Sequence, residues 1–432
     1  MVLNEILVLV ISFVVLLALR VPIAFCIGLA TMFTMAMSIK TGPAFTTIAQ
    51  RMSTGLDSFA LLAIPFFVLS GQFMNRGGIA RRLIDFAKTV VGMLPGGLAF
   101  VNILGCMLFG AISGSAVAAA AAIGGFMTPL MRKEGYDNEF SAAVNITSST
   151  TGLLIPPSNI LIVYSLASGG TSIAALFIAG YIPGILVGLS LMVVAAAIAI
   201  RRKYSVVAFP GVLEAVKRFL DALPSLLLVI IVIGGIVAGY FTATEASAIA
   251  VLYTFILSVV VYREVKWKEI PSVLLESTVT TSIVLLLVGT SMAMSWILAY
   301  ENIPQGVSAA LVALSENKII ILLIINLILL AVGTFVDMTP AVLIFTPIFL
   351  PVATSLGVDP ILFGIIMVLN LCIGLCTPPV GTILFVGCGI ANTTIPKVIK
   401  PLIPMFIAMT IALLIITFVP ELTMFLPKLF GY

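Results

Sequence analysis

The chain has 432 residues, of which 61% are hydrophobic and only 9% charged, and its formal net charge is +4. With a mean hydropathy of +1.28 it lacks the charged surface that a soluble domain of this size needs. Histidine is absent, which removes most metal sites and most acid–base catalysis near neutral pH, and no basic run interleaved with aromatics supports nucleic-acid binding.

Apolar runs long enough to cross a hydrocarbon core recur from end to end. The first, 3–19, ends at Arg20 and leads straight into a second at 21–39, so it reads as a span and not as a cleaved leader. A third span is expected at 59–74. Residues 79–92 carry Arg81, Arg82 and Lys88 between apolar side chains and read as an amphipathic helix on the cytoplasmic surface. An apolar hairpin follows at 94–131, with its tip at Gly110-Ala-Ile-Ser113-Gly114-Ser115. The next span, 138–167, is interrupted by Gly152-Leu-Leu-Ile-Pro-Pro157. Spans at 173–200, 220–240, 245–262 and 278–299 lead to a second hairpin, 317–351, whose tip is Gly333-Thr-Phe-Val-Asp337-Met-Thr339-Pro340. A second interrupted span, 359–390, contains Gly374-Leu-Cys-Thr-Pro-Pro379, and 395–419 is the last span. The spans leave no soluble domain over, so a partner that captures solute in water is expected to be another chain. The five cysteines lie in apolar stretches without CxxC spacing and read as small buried apolar residues.

The two halves match. With Pro129 set against Pro351, Gly135 meets Gly357, Asp137 meets Asp359, and the two Gly-x-x-x-Pro-Pro interruptions coincide without a gap. Two repeats, 1–205 and 206–432, are therefore expected. Basic clusters at Arg201–Lys203, Lys217–Arg218 and Arg263–Lys268 are placed in the cytoplasm by the positive-inside bias. Span 173–200 then runs inward. Its partner 395–419 begins beside Lys397 and Lys400 and runs outward, so the repeats are inverted and both termini are periplasmic. Of the 21 Lys and Arg, all but Lys40, Arg51, Lys318 and Lys428 then face the cytoplasm.

Irregular backbone at membrane depth is tolerated only inside protein or around a cavity. Two adjacent prolines after a glycine unwind a helix. The freed carbonyls suit a cation, and the next half-helix offers its amide end to an anion. One hairpin tip with one broken span, taken twice, gives two polar clusters suited to secondary transport. Sodium fits carbonyl and hydroxyl ligands as a hard cation, whereas proton coupling has Asp337 as its obvious carrier. Plainer readings stand beside these: Pro-Pro as a kink, Ser-Gly-Ser as packing between helices, and Asp337 as a helix cap. Asn145 and Asn370 read as ties between helices, and Asp57, Glu245 and Glu301 as interfacial groups. Ala-Ile-Ser113-Gly is similar to the Gly-x-Ser-Gly of intramembrane serine proteases, but the chain has no histidine to serve as base. A proton-coupled antiporter or anion exchanger acting alone is the rival to a sodium symporter.

The motifs Leu-Leu-Ala-Ile-Pro-Phe-Phe (61–67), Phe109-Gly-Ala-Ile-Ser-Gly-Ser-Ala116, Met127-x-Pro-x-Met131, Gly135-Tyr136, Ile155-Pro-Pro-Ser158, Leu176-Phe-x-Ala-Gly-x-x-Pro-Gly184, Pro347-x-x-x-Pro351 and Thr377-Pro-Pro-Val-Gly381 together resemble the large membrane subunit of tripartite ATP-independent periplasmic (TRAP) transporters. The resemblance covers nearly the whole chain. It implies an all-α, polytopic, inverted-repeat elevator-type importer of the bacterial inner membrane, driven by sodium, with no other cofactor. Its partners would be a small four-span membrane subunit and a periplasmic substrate-binding protein. One implied sodium site comprises Gly110, Ser113, Gly152, Ile155 and Pro157, and a second Gly333, Gly374, Thr377 and Val380. Ala116 stands where many members have a serine. The implied organic-anion site lies between the tips, near Ser115, Ser158, Asn159, Asp337 and Thr339. The family carries C4-dicarboxylates, sugar acids and sialic acid, and Ser158–Gly170 resembles the sialic-acid members most.

Overall fold

A computed structural model describes residues 2–206, 209–315 and 317–432. The described residues are helical and contain no strand. The first ten helices are α1 (Val2–Ala18), α2 (Ile23–Ser38), α3 (Thr41–Leu56), α4 (Ala63–Arg76), α5 (Ile79–Val91), α6 (Gly97–Ser113), α7 (Ala116–Lys133), α8 (Asn138–Ser149), α9 (Asn159–Ala167) and α10 (Ile173–Arg202). The second ten are α11 (Val212–Val237), α12 (Ala243–Phe255, prolonged by a wider turn over Ile256–Val261), α13 (Ile270–Tyr300), α14 (Ile303–Leu314), α15 (Lys318–Phe335), α16 (Met338–Ser355), α17 (Pro360–Leu375), α18 (Thr382–Ile390), α19 (Ile395–Phe418) and α20 (Pro420–Leu429). Eight helical stretches are long and apolar enough to cross a bilayer, and four shorter apolar helices accompany them.

Local chemistry sets many of these boundaries. Ser172 caps α10 by accepting from the Ala175 amide at 3.3 Å. Asp359 caps α17 by accepting from Ile361 at 2.7 Å, and a proline opens that helix, where no amide partner is needed. Glu245, expected only as an interfacial group, completes a capping box with Thr242 at the start of α12.

The expected spans, both hairpins and both interruptions are present as helices and breaks, with three additions. Helices α3, α14 and α20 connect or extend spans and are only 16, 12 and 10 residues long. The amphipathic helix α5 departs from expectation in what it covers. Its apolar stripe Ile79, Leu83, Ile84 and Ala87 is buried at 0–4% exposure and packs on α6 and α11. The stripe is therefore covered by protein, not by lipid. Helix α4 packs on α12 and α13, and α2 and α3 pack on α13.

The two broken helices lie side by side. Cys372 of α17 and Cys376 at its C-terminal cap donate to the carbonyls of Thr150 (3.5 Å) and Ile146 (3.4 Å) on the α8 side. Tyr164 of α9 donates to the Pro360 carbonyl at 2.6 Å. Sequence number rises along one helix as it falls along the other, so the pair is antiparallel. All five cysteines are buried and free.

Polar side chains tie each hairpin to its broken helix. The Asn102 Oδ1 of α6 accepts from Ser148 of α8 at 3.2 Å. In the second half, Asn370 donates to Asn326 of α15 at 2.8 Å, and Asn326 donates to Thr417 of α19 at 3.1 Å. Asn145 donates to the Ala120 carbonyl at 3.0 Å. Asn145 and Asn370 thus act as interhelical hydrogen-bond donors, the arrangement that replaces hydrophobic driving force inside a bilayer.

Candidate functional site

Each hairpin tip rests on a break through a pair of glycines. A Cβ added to Gly110 would lie 2.5 Å from the Cα of Gly152, and one added to Gly152 would fall on Gly110. A Cβ added to Gly374 would lie 2.5 Å from Gly333 Cα, and one added to Gly333 would lie 3.1 Å from Gly374 Cα. Only residues without a side chain allow two backbones to meet this closely. The contact places the last turn of α6 against the first break, and the last turn of α15 against the second.

Both breaks contain a cis Pro–Pro bond, at Pro156–Pro157 and Pro378–Pro379. Among the described residues, no backbone amide outside the helices bonds to the carbonyls of Ile155, Pro156 and Pro157, nor to those of Pro378, Pro379 and Val380. These oxygens and the adjacent hydroxyls form a donor set suited to a hard monovalent cation, with few carboxylates to favour a divalent one. Ser113 is buried at the tip, with its hydroxyl 3.5 Å from the Ser115 carbonyl. Thr377 donates to the Ile373 carbonyl at 2.7 Å, which leaves its oxygen lone pairs free. Ile155 sits under Gly184 of α10, and Leu154 presents its carbonyl to Gly180. Val380 is 44% exposed.

A cavity of about 280 Å³ opens between the two tips. The N-termini of α7, α9, α16 and α18 all reach it, through Ser115, Asn159, Met338 and Thr382. The packing explains why. Helix α9 lies on α16 and α18 lies on α7, so the second half of each break leans on the opposite hairpin. Gly114 approaches the Asn159 carboxamide, and Thr382 faces the Asp337 carboxylate at 3.5 Å. Four helix N-termini bordering one space contribute partial positive charge to it, opposite the Asp337 carboxylate.

Four of the five residues expected to contact solute line this cavity: Ser115, Asn159, Asp337 and Thr339. Ser115 also caps α7 by accepting from Ala118 at 3.3 Å. Asp337 stands at the N-cap of α16 without a side-chain cap bond, so capping does not account for it. Asn159 carries a buried Oδ1 with no partner among the described residues. Ser158 is placed elsewhere. It is fully buried and donates to the Leu153 carbonyl at 2.6 Å, inside the break. Sequence reasoning missed Gln72, Asn75, Thr280 and Thr382, which also line the cavity. Gln72 and Asn75 fall one turn apart on a largely apolar helix, and that spacing was the available signal.

The family described as "Tripartite ATP-independent periplasmic transporter, DctM component" matches residues 10–422. The chain is 58% identical over 420 residues to the uncharacterized protein YgiK of Salmonella typhimurium, covering 97% of this chain and 96% of that one. It is 41% identical over 385 residues to the C4-dicarboxylate TRAP transporter large permease protein DctM of Pseudomonas aeruginosa, covering 89% and 90%. It is 38% identical over 412 residues to the sialic acid TRAP transporter large permease protein SiaM of Vibrio cholerae, covering 95% and 96%. The fold is similar to the crystal structure of the Alcanivorax borkumensis YdaH transporter, with a TM-score of 0.66, 14% identity, and 86% and 87% of the two chains covered.

Proposed function

Since the chain belongs to the DctM component family of tripartite ATP-independent periplasmic transporters, a family of permeases and not of enzymes, we propose that it imports small carboxylates across the bacterial inner membrane by sodium symport. In this reading a periplasmic binding protein delivers the solute, a small membrane subunit completes the complex, and both termini are periplasmic. Sialic acid is the first solute to test, and C4-dicarboxylates and sugar acids follow.

The observation that carries the reading is the doubled glycine junction on either side of one polar cavity. Gly110, Ser113, Gly152, Ile155 and Pro157 would hold one sodium ion, and Gly333, Gly374, Thr377 and Val380 another. An ion at either junction stiffens a tip against its break, and the tips carry the amide ends that face the solute. Ion occupancy therefore prepares the anion site, which is the basis of coupling. The two hairpins, the broken helices, α10 and α19, drawn from both inverted repeats, 1–205 and 206–432, would form a moving unit. That unit would slide past α4 and α13 as an elevator.

Reconstitution tests this. Uptake into proteoliposomes is expected only with this chain, the small subunit, the binding protein and an inward sodium gradient together. Uptake by this chain alone, driven by a pH gradient, would establish the antiporter instead.

A further inference from the structure

A second cavity, of about 600 Å³, lies away from the hairpin tips. Three helices wall it: α10 through Ile178 and Tyr181, α20 through Leu426 and Phe430, and α11 through its facing residues between Val229 and Ala238. No charged side chain lines it, and the Tyr181 hydroxyl is its one polar side-chain group. That hydroxyl makes no hydrogen bond among the described residues. Tyr164 and Tyr253 differ, since they donate to the carbonyls of Pro360 at 2.6 Å and Pro224 at 2.7 Å. A tyrosine O–H taken out of water ordinarily finds an acceptor, and at membrane depth an unmet one is costly. Gly234 keeps the α11 wall open. A Cβ added there would meet no atom within 4 Å, whereas one added to its neighbour Gly235 would fall on the Phe241 ring.

Position and section identify the occupant. Tyr181 lies in the first third of α10, and Val229 to Ala238 lie at the end of α11. On the topology read above, both belong to the periplasmic half of the bilayer, as does α20. The stretch of α11 from Val229 to Ala238 is about 14 Å long, which gives the cavity a mean section of roughly 40 Å². A helix with its side chains, about 10 Å across, needs about twice that section. Hydrocarbon chains in contact at about 4.5 Å each need about half of it. We infer that this cavity is a phospholipid site, in which the two acyl chains of one lipid of the periplasmic leaflet lie along α11 and an ester carbonyl accepts from Tyr181. The chains supply dispersion contacts that a gap between helices forfeits, and the ester meets the O–H. With no basic side chain on its walls, the site reads chains and ester and is indifferent to head-group charge. It also lies on a boundary. Helix α10 packs on α6, α19 and α20, whereas α11 packs on α12, and α12 packs on α4. Fluid chains between α10 and α11 keep the two sides in contact without interlocking them, as sliding requires. That last consequence rests on the elevator reading above, and the site itself does not.

The test is native mass spectrometry of the full-length chain, extracted in mild detergent from membranes of phosphatidylethanolamine and phosphatidylglycerol. One phospholipid per chain is expected to survive detergent exchange, with the two head groups retained in the ratio that the membrane supplies. Gly234→Phe, which sets a ring in the cavity, is expected to lower the retained fraction about tenfold or more. Tyr181→Phe, which removes the hydroxyl alone, is expected to lower it about fivefold. Val193→Phe, at a 69% exposed position of α10, is expected to change nothing. A wild-type chain that keeps no lipid, or a Gly234→Phe chain that keeps as much as the wild type, overturns the inference. Undiminished retention in Tyr181→Phe overturns the ester bond. A second polypeptide that Gly234→Phe strips away in place of the lipid assigns the cavity to a protein helix and likewise overturns the inference. No readout here uses sodium or solute, so the symport reading fails or survives separately.

Discussion

The first and second junctions share a motif but not an environment. Around the first, residues 151–158 are all buried, and α10 closes over the break because Gly180 and Gly184 let it approach Leu154 and Ile155. Around the second, Pro379 and Val380 are exposed, as is Asp337 on the facing tip. The matching stretch of α19 carries Pro401, Leu402 and Met405, with no glycine, and cannot close in the same way. One sequence pattern therefore yields a sealed junction and an open one. The lesson is that a break supplies the polar groups, while the neighbouring helix decides whether water and ions reach them.

The comparison can be broken most forcefully at Gly152. A methyl group there falls on the Gly110 backbone in a sealed pocket with no room to relax. Gly152→Ala is expected to lower reconstituted uptake by about 100-fold or more. Retained uptake would mean that the first junction tolerates separation. Accessibility is the next test. With every native cysteine buried, a small polar maleimide is expected to label Val380→Cys roughly 100 times faster than Ile155→Cys, whose position is 7% exposed. Equal rates would erase the distinction between sealed and open.

A milder change sharpens it. At Gly333 the added Cβ would stand 3.1 Å from Gly374 Cα, a contact that a shift of a few tenths of an ångström relieves, so Gly333→Ala is expected to reduce uptake only about tenfold. A loss as deep as that of Gly152→Ala would show the two junctions to be mechanically alike. The smallest effect concerns the scaffold of the open side. Asn326→Leu removes both the Asn370 and the Thr417 bonds and is expected to lower unfolding stability by about 1 kcal/mol. Thermal unfolding in detergent measures it, and no change would show that these ties do not hold the second hairpin.

Much of this was readable in the chain. Hydrophobic period and length located the spans, and the twofold Gly-x-x-x-Pro-Pro located the breaks, because proline and glycine act on the backbone locally wherever they stand. The hairpin tips were marked by Ser113-Gly114-Ser115 and by Asp337, polar groups that an apolar segment admits only for a purpose. Contacts between helices far apart in sequence were not readable. Nothing local says that Ser158 turns into the break toward Leu153 while its neighbour Asn159 faces the cavity. Nor does anything local say that α5 is covered by α11. Helices α3, α14 and α20 escaped because at 16, 12 and 10 residues they are too short or too polar to read as spans.

The sequence by itself determined that this is a membrane-spanning chain of helices with two interruptions and two hairpins, since each of those properties depends on residues adjacent to one another. Only the tertiary structure decided that Gly110 meets Gly152 and Gly333 meets Gly374, that four helix ends share one cavity, and that α4 supplies its opposite wall. Such arrangements depend on which surfaces fit together. Steric fit and electrostatic complementarity between distant segments are not written in any single stretch of chain.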